Sequence, residues 1–194
     1  MRIFIGRLIR NYSLLVVMFL ACLGTRPLLA ADTAAGEQKS ANCVGCHGLK
    51  GKSNSDQWPN LAAQQASYLV KQLSAFKMGV RNNPVMQAMA TNLTDEDMTN
   101  LAAYYTSQPA VSGQADADLV KSGQIKAAMC QGCHGSSGQG NGQFPRLAGQ
   151  RPDYLVKQLN SFKEGKRSNG QMKAVAGSLS EEDMKALAAY FSAL

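Results

Sequence analysis

The sequence is poor in the residues that complete most protein metal sites. Among its 194 residues there are two histidines and five cysteines. Four of the cysteines form two close pairs, Cys43 with Cys46 and Cys130 with Cys133. A tetrahedral zinc site built on either pair would need two further Cys or His ligands, and the sequence has too few to complete two such sites.

The sequence around the cysteine pairs also lacks the alternating pattern that indicates β-strands. A thioredoxin-like redox pair begins a helix within a strand-rich fold, so the missing strands argue against that chemistry. A disulfide within either pair is disfavoured as well, because so short a spacing closes a tight and strained ring. The two pairs therefore need an explanation other than zinc binding, thiol exchange or cross-linking.

Positive charge is not accompanied here by the aromatic residues that nucleic-acid surfaces interleave with it. The full chain carries a net charge of +7, but residues 1–31 hold four arginines and no acid. The remaining chain therefore has 16 bases and 13 acids, a net charge of +3. A charge of this size gives no argument for nucleic acid binding, and we predict none.

The apolar run near the N-terminus is too short to span a bilayer comfortably. Arginines precede this run at residues 14–23, and small residues suited to cleavage follow it at Ala30 and Ala31. We therefore predict a signal peptide over residues 1–31 and a periplasmic protein, with an uncleaved membrane anchor as the alternative. Cys22, the fifth cysteine, lies in this segment, so the mature chain has no thiol outside the two pairs.

A histidine directly follows each cysteine pair, which gives the motif C-x-x-C-H at residues 43–47 and again at residues 130–134. Two thiols at this spacing lie on one turn and can add to the two vinyl groups of one porphyrin. The next residue, His47 or His134, then lies under the iron and offers it an imidazole nitrogen. The sequence therefore predicts two covalently bound haem c groups, attached through Cys43, Cys46, Cys130 and Cys133.

The second half of the chain repeats the first. Residues 68–73 recur identically as residues 154–159. Each copy shows apolar residues at helical spacing and no strand pattern, so we predict an all-α protein of two tandem domains with three helices each. The helices are expected at about residues 33–42, 65–78 and from 94 in the first copy, and at about 118–129, 152–164 and from 180 in the second. The predicted segments are a signal peptide at residues 1–31, a first domain at 32–110, a linker at 111–117 and a second domain at 118–194.

A methionine between the second and third predicted helices could supply the other axial ligand, because a thioether is a common partner of histidine in electron-transfer haems. The second copy has one methionine there, Met172, and the repeat aligns it with Met86. Met89 lies close by, but its counterpart in the second copy is Val175. We therefore predict Met86 and Met172 as iron ligands, with core packing as the alternative role.

Residues 32–194 resemble the dihaem cytochrome c4 family, which are tandem class I c-type cytochromes of the bacterial periplasm. Besides both C-x-x-C-H motifs, the resemblance rests on the P-x-L-A-x-Q segments that begin at Pro59 and Pro145 and on the two Y-L-x-K-Q-L segments. It implies an all-α fold of two tandem class I cytochrome c domains, with Met86 and Met172 as axial ligands. It also implies that the Pro59 and Pro145 carbonyls accept hydrogen bonds from the histidines, which would fix each imidazole and strengthen it as a ligand.

The motifs and the resemblance together predict an electron carrier and not an enzyme. Such a carrier would take single electrons from a quinol-oxidising complex and pass them along a respiratory chain toward a terminal oxidase. The alternative is a cytochrome subunit of a periplasmic dehydrogenase, such as a sulfide-oxidising flavocytochrome. A dihaem peroxidase is disfavoured, because it needs an open iron and both copies offer a methionine. We leave peripheral association with the membrane open in either role.

Overall fold

Helices form the regular structure of residues 31–194, the part of the chain that the computed structural model describes. The first half contains α1 (Thr33–Ser40), α2 (Val44–His47), α3 (Ala66–Lys77), α4 (Pro84–Thr91) and α5 (Asp95–Thr106). The second half contains α6 (Ala117–Lys126), α7 (Ala128–His134), α8 (Pro152–Lys163), α9 (Gly170–Gly177) and α10 (Glu181–Ala193). Short 3-10 turns flank α2, and one isolated bridge joins Asn141 to Phe144. The prediction of an all-α fold is confirmed.

The predicted signal peptide at residues 1–31 lies outside the described residues, apart from Ala31. Within residues 31–194, no helix combines the length and the hydropathy that crossing a membrane requires.

The prediction of three helices in each half is wrong, because each half has five α-helices within residues 31–194. The C-x-x-C-H motifs are themselves helical, and the segments that carry Met86 and Met172 form α4 and α9. The side-chain oxygens of Asn83 and Asn169 each accept a hydrogen bond from the methionine backbone N–H at 3.0 Å. Such a cap satisfies one of the free N–H groups of the first turn, so it favours a helix over an irregular connection.

The last helix of each half, α5 or α10, forms its centre. Helix α5 packs against α1 and α3, and α10 packs against α6 and α8. A Cβ atom at Gly36 would lie 2.1 Å from the Asn100 carbonyl oxygen, and one at Gly123 would lie 2.0 Å from that of Ala186. Only glycine therefore fits where α1 crosses α5 and where α6 crosses α10, and these crossings place the motif that follows α1 and α6.

Capping boxes begin both central helices. The hydroxyls of Thr94 and Ser180 accept a hydrogen bond from the backbone N–H of Asp97 and Asp183, three residues on. The carboxylates of these aspartates in turn accept one from the backbone N–H of Thr94 and Ser180. The same acids form ion pairs with lysines of α1 and α6, Lys39–Asp97 at 2.9 Å and Lys126–Asp183 at 2.6 Å. Each ion pair joins the first helix of its half to the last.

Two glutamines join the halves by reciprocal contacts, within one compact unit from Ala31 to Leu194. The Gln64 side chain accepts a hydrogen bond from the Arg146 backbone N–H at 2.7 Å and donates one to its carbonyl at 2.9 Å. The Gln150 side chain makes the same two contacts with Asn60, at 2.7 and 2.9 Å. Both glutamines are buried, and each occupies the same place in its copy of the repeat. The halves therefore pack with an approximate two-fold relation.

The connection between the halves lies against the second half. A Cβ atom at Gly149 would lie 1.6 Å from the Val111 carbonyl oxygen, so glycine is required there. The equivalent residue of the first half is Ala63, which also has a positive φ, 55° against 70° for Gly149. Their backbone N–H groups make matching bonds to the carbonyls of Tyr105 and Phe191, at 2.9 and 2.8 Å. Helix α6 then begins at Ala117, inside the predicted linker of residues 111–117.

Candidate haem sites

The histidine of each motif is oriented by a backbone carbonyl. His47 Nδ1 lies 2.9 Å from the Pro59 carbonyl oxygen, and His134 Nδ1 lies 2.9 Å from that of Pro145. Because a carbonyl oxygen can only accept, Nδ1 must carry the proton in both rings. The lone pair of Nε2 is then free for an iron, and the hydrogen bonds implied by the resemblance are present in both halves.

Burial sets the protonation of the motif residues. It lowers the pKa of His47 and His134 from the ordinary value, although the hydrogen bonds to the proline carbonyls act in the opposite direction. Burial raises the pKa of the Cys43 and Cys130 thiols. The histidines are therefore favoured in the neutral form, which is the form that binds a metal.

The predicted site residues of both halves line one cavity of about 1090 Å³. Its walls include the two histidines, Met86, Met172 and every motif cysteine except Cys46. Cys46 and its counterpart Cys133 are exposed, whereas the first cysteine of each motif is half-buried. The cavity volume lies at the upper end of the range for cofactor sites, as expected for a space that both motifs border.

The two predicted methionine ligands stand at matching positions. Met86 and Met172 are the third residues of α4 and α9, and both side chains are half-buried. Met89 also borders the cavity but is 43% exposed, and its counterpart Val175 has no sulfur to offer. The structure thus gives both halves the same arrangement at the positions that the repeat aligned.

Two arginines form a ring of contacts across the boundary between the halves. Arg81 donates to the side-chain oxygens of Gln72 at 2.8 Å, Gln158 at 2.7 Å and Tyr154 at 3.0 Å. Arg167 donates to those of Gln158 at 3.0 Å, Gln72 at 2.9 Å and Tyr68 at 2.7 Å. All these acceptors are neutral groups. The ring therefore concentrates two positive charges on the cavity wall.

The positive charges of the two arginines act on Tyr154, and both guanidinium groups contact aromatic rings of the cavity wall. Burial would raise the pKa of the Tyr154 hydroxyl, but Arg81 and Arg167 lower it. Each guanidinium also lies 4.5 Å from the centre of a buried phenylalanine ring, Phe76 or Phe162, that lines the cavity. A half-buried cation without a carboxylate partner favours an anion beside it, and the propionates of a haem have that chemistry.

The comparisons agree with this geometry. The family model described as "Cytochrome c" matches the chain twice, at residues 33–108 and 120–194. Cytochrome c4 from Pseudomonas aeruginosa is 40% identical over 93% of this chain and 98% of its own length. The chain belongs to the cytochrome c4 family. A crystal structure of reduced recombinant cytochrome c4 from Pseudomonas stutzeri superposes with a TM-score of 0.79 at 38% identity, covering 85% of this chain and all of that one.

A further relative carries a name that bears on partners. The protein named "Thiosulfate dehydrogenase electron acceptor" from Stutzerimonas stutzeri is 35% identical over 77% of each chain. Membership of the cytochrome c4 family confirms the prediction of two class I cytochrome c domains with two covalently bound haem c groups. The protein is a dihaem electron-transfer cytochrome. We call residues 32–110 domain 1 and residues 118–194 domain 2.

The contacts between the domains were not predicted from the sequence. The Y-L-x-K-Q-L segments recur in both copies, but only the fold shows that each copy contacts the other. The available signal was a set of polar residues that recur identically on α3 and α8 and on the turns that follow these helices. Tyr68, Gln72 and Arg81 recur without change as Tyr154, Gln158 and Arg167.

Proposed function

We propose that this protein is a periplasmic electron carrier that passes single electrons through a respiratory chain toward a terminal oxidase. The observation that carries the proposal is that both domains present the same candidate ligand pair, a buried histidine and a methionine, on the cavity wall. An iron held on both sides has no open position for a substrate, so electron transfer suits both domains and catalysis suits neither. A carrier, not an enzyme, is the function that this arrangement supports.

The proposed site has the same composition in each domain. The attachment residues are Cys43, Cys46, Cys130 and Cys133, and the axial ligands are His47, Met86, His134 and Met172. Haem iron supplies the one-electron change between its ferrous and ferric forms. The protein supplies fixed ligands, because the proline carbonyls orient the imidazoles and the asparagine caps begin the helices that carry the methionines.

The walls of the cavity have two further roles in this proposal. Buried apolar residues of α5 and α10, such as Leu101 and Leu187, border it and exclude water. Arg81 and Arg167 would hold haem propionates and balance their charge, since the acceptors in their ring are neutral. Because both arginines contact both domains, cofactor binding and domain packing would support each other.

The alternative is a role as the cytochrome subunit of a periplasmic dehydrogenase, such as a sulfide-oxidising flavocytochrome. The relative named "Thiosulfate dehydrogenase electron acceptor" supports the view that some proteins of this kind serve an oxidising enzyme. In both cases the electrons arrive one at a time from a redox protein, either that dehydrogenase or a quinol-oxidising complex. The match to carriers over nearly the whole chain favours a separate carrier over an enzyme subunit, with peripheral membrane association as a further part of the proposal.

The test uses the native protein, purified with its cofactors. We expect two haems per chain that acid–acetone does not extract, because thioether links survive that treatment. We expect neither reduced iron to bind carbon monoxide, and we expect the reduced protein to be reoxidised by membranes that contain a terminal oxidase. One haem per chain, extractable haem or an iron open to carbon monoxide would contradict the proposal. A dehydrogenase that co-purifies in fixed ratio would favour the alternative.

A further inference from the structure

The wall beside the first motif cysteine differs between the domains at two positions together. Domain 1 has Ser40 and Tyr105 there, with exposed fractions of 4% and 3%. The repeat aligns these residues with Ala127 and Phe191 of domain 2, which are 0% and 3% exposed. A polar pair in one domain therefore stands where the other has an apolar pair, although the motif cysteine beside them is the same.

The Tyr105 hydroxyl is buried and has no hydrogen-bond partner among the described residues. A buried hydroxyl without a partner is unfavourable, so a native structure rarely leaves one. The Ser40 hydroxyl donates its own proton to the Glu37 carbonyl at 2.7 Å, and neither Ser40 nor Cys43 is within hydrogen-bond geometry of the Tyr105 hydroxyl. The Tyr105 hydroxyl is thus a hydrogen-bond donor for which residues 31–194 offer no acceptor.

The position of Tyr105 directs that donor toward the haem site. Tyr105 lines the cavity, and the half-buried Cys43 packs against the same apolar cluster. Burial raises the pKa of the Cys43 thiol, and the nearby Tyr105 hydroxyl partly opposes that rise. Burial also raises the pKa of Tyr105, so the hydroxyl stays protonated and can donate a hydrogen bond.

We propose that the Tyr105 hydroxyl donates a hydrogen bond to the haem of domain 1 at its Cys43 thioether, and that Phe191 leaves the haem of domain 2 without this donor. The inference rests on the proposed attachment at Cys43. Reduction adds an electron to the haem, so a donor at its edge stabilises the reduced form more than the oxidised form. Tyr105 therefore raises the reduction potential of the first haem above the value that a phenylalanine at this position would give.

The decisive variant is Tyr105→Phe in the holoprotein, which removes one oxygen atom and gives domain 1 the residue of domain 2. The potentials are measured haem by haem, by following the methyl NMR signals of each haem through a redox titration. We expect the reduction equilibrium constant of the first haem to fall about fivefold, which is roughly 40 mV at about 59 mV per tenfold change for one electron. The second haem should keep its potential.

Two further variants make the test symmetrical. Phe191→Tyr adds a hydroxyl to domain 2 and should raise the potential of the second haem. Tyr104→Phe is the matched control, because Tyr104 is also buried, at 5% exposed, but is not among the residues that line the cavity. It should leave both potentials unchanged.

The outcomes separate this inference from the proposed function. If Tyr105→Phe binds two haems and leaves the first potential unchanged, or shifts it no more than Tyr104→Phe does, the inference is overturned and the carrier function stands. If the native protein lacks a haem at Cys43, the proposed attachment fails instead.

Discussion

The turn between α3 and α4 and the start of α4, the helix with the candidate ligand Met86, carry Met78, Val80 and Val85 in domain 1. The aligned residues of domain 2 are Glu164, Lys166 and Gln171. The three residues of domain 1 are 67%, 63% and 53% exposed. The two halves of the chain also differ in net charge, which is zero for residues 32–113 and +3 for residues 114–194. At these positions domain 1 therefore exposes apolar side chains, whereas domain 2 has polar or charged ones.

Several interior contacts of the two domains, by contrast, are the same. The histidine to proline distances are equal, and a lysine at the end of α3 or α8 reaches a matching carbonyl, Lys77 to Leu93 at 2.5 Å and Lys163 to Leu179 at 2.6 Å. The comparison teaches that haem binding and domain packing fix these inner contacts of the repeat. The outer positions are free to specialise for different partners.

Loss of a methionine ligand should have the largest effect, and each substitution should change the haem of one domain only. We expect Met86→Leu to lower the potential of the first haem only, and Met172→Leu that of the second only, by on the order of 0.1 V within the ~0.8 V that axial ligands span. Each variant should open one iron to carbon monoxide, which absorption spectra detect. Met89→Leu is the control. If it abolishes the sulfur-to-iron band of the first haem, the alignment of Met86 with Met172 is wrong.

Removal of the glutamine contacts tests whether Gln64 and Gln150 contribute equally to the stability of the domain packing. We expect Gln64→Ala and Gln150→Ala each to lower the free energy of unfolding by about 2 kcal/mol, because each loses its two hydrogen bonds to the other domain and leaves backbone groups of Arg146 or Asn60 without those partners. Urea titration of the holoprotein measures this. Gln65→Ala is the control, since its side chain makes an exposed contact with the Gln139 carbonyl at 3.0 Å. Unequal losses from the first two variants would show that the packing is not balanced.

Charge at the rim should change rates more than potentials. We expect Lys166→Glu with Lys173→Glu to slow electron exchange with an acidic redox partner by about tenfold at low ionic strength. The effect should shrink as salt shortens the Debye length to about 8 Å. Stopped-flow kinetics follow the exchange. The matched variant Val80→Lys with Gln87→Lys places lysines in domain 1 at the positions that align with Lys166 and Lys173, and it should speed the exchange. A rate that neither salt nor charge reversal changes would assign docking to the apolar rim instead.

The smallest expected difference lies in the acids of the two capping boxes. The Thr94 backbone N–H and Lys39 lower the pKa of Asp97, whereas Lys126 and the Ser180 backbone N–H lower that of Asp183 to about 2. A carboxylate with a lowered folded-state pKa stabilises the fold above its unfolded-state pKa, and this contribution is lost as pH falls.

Thermal unfolding midpoints should therefore drop as pH falls from about 4 toward the Asp183 pKa of about 2. Asp183→Asn should flatten this dependence more than Asp97→Asn, although both effects are small because ion pairs at the protein surface contribute little. Equal slopes for the two variants would show that the ion pair with Lys126 adds nothing beyond the cap.

The sequence alone was sufficient where function depends on residues that are close along the chain. The haem motifs follow from the spacing of two thiols and one imidazole, and the choice of Met86 over Met89, which rests on the duplication, stays a prediction. It was insufficient where contacts join distant residues, because Gln64 and Gln150 bind backbone groups whose positions depend on the whole fold. The short helix α4 was missed although Asn83 and Pro84 form a typical helix start.

The close approach of the linker to Gly149 gives the tandem pair a fixed order. Domain 1 has a methyl group at the same place, on Ala63, so its surface is not shaped to receive the linker carbonyl. The two modules are therefore not interchangeable, even though their haem sites match. A chimera with two copies of domain 1 would meet a steric clash at this point, and repair would require Ala→Gly in the second copy.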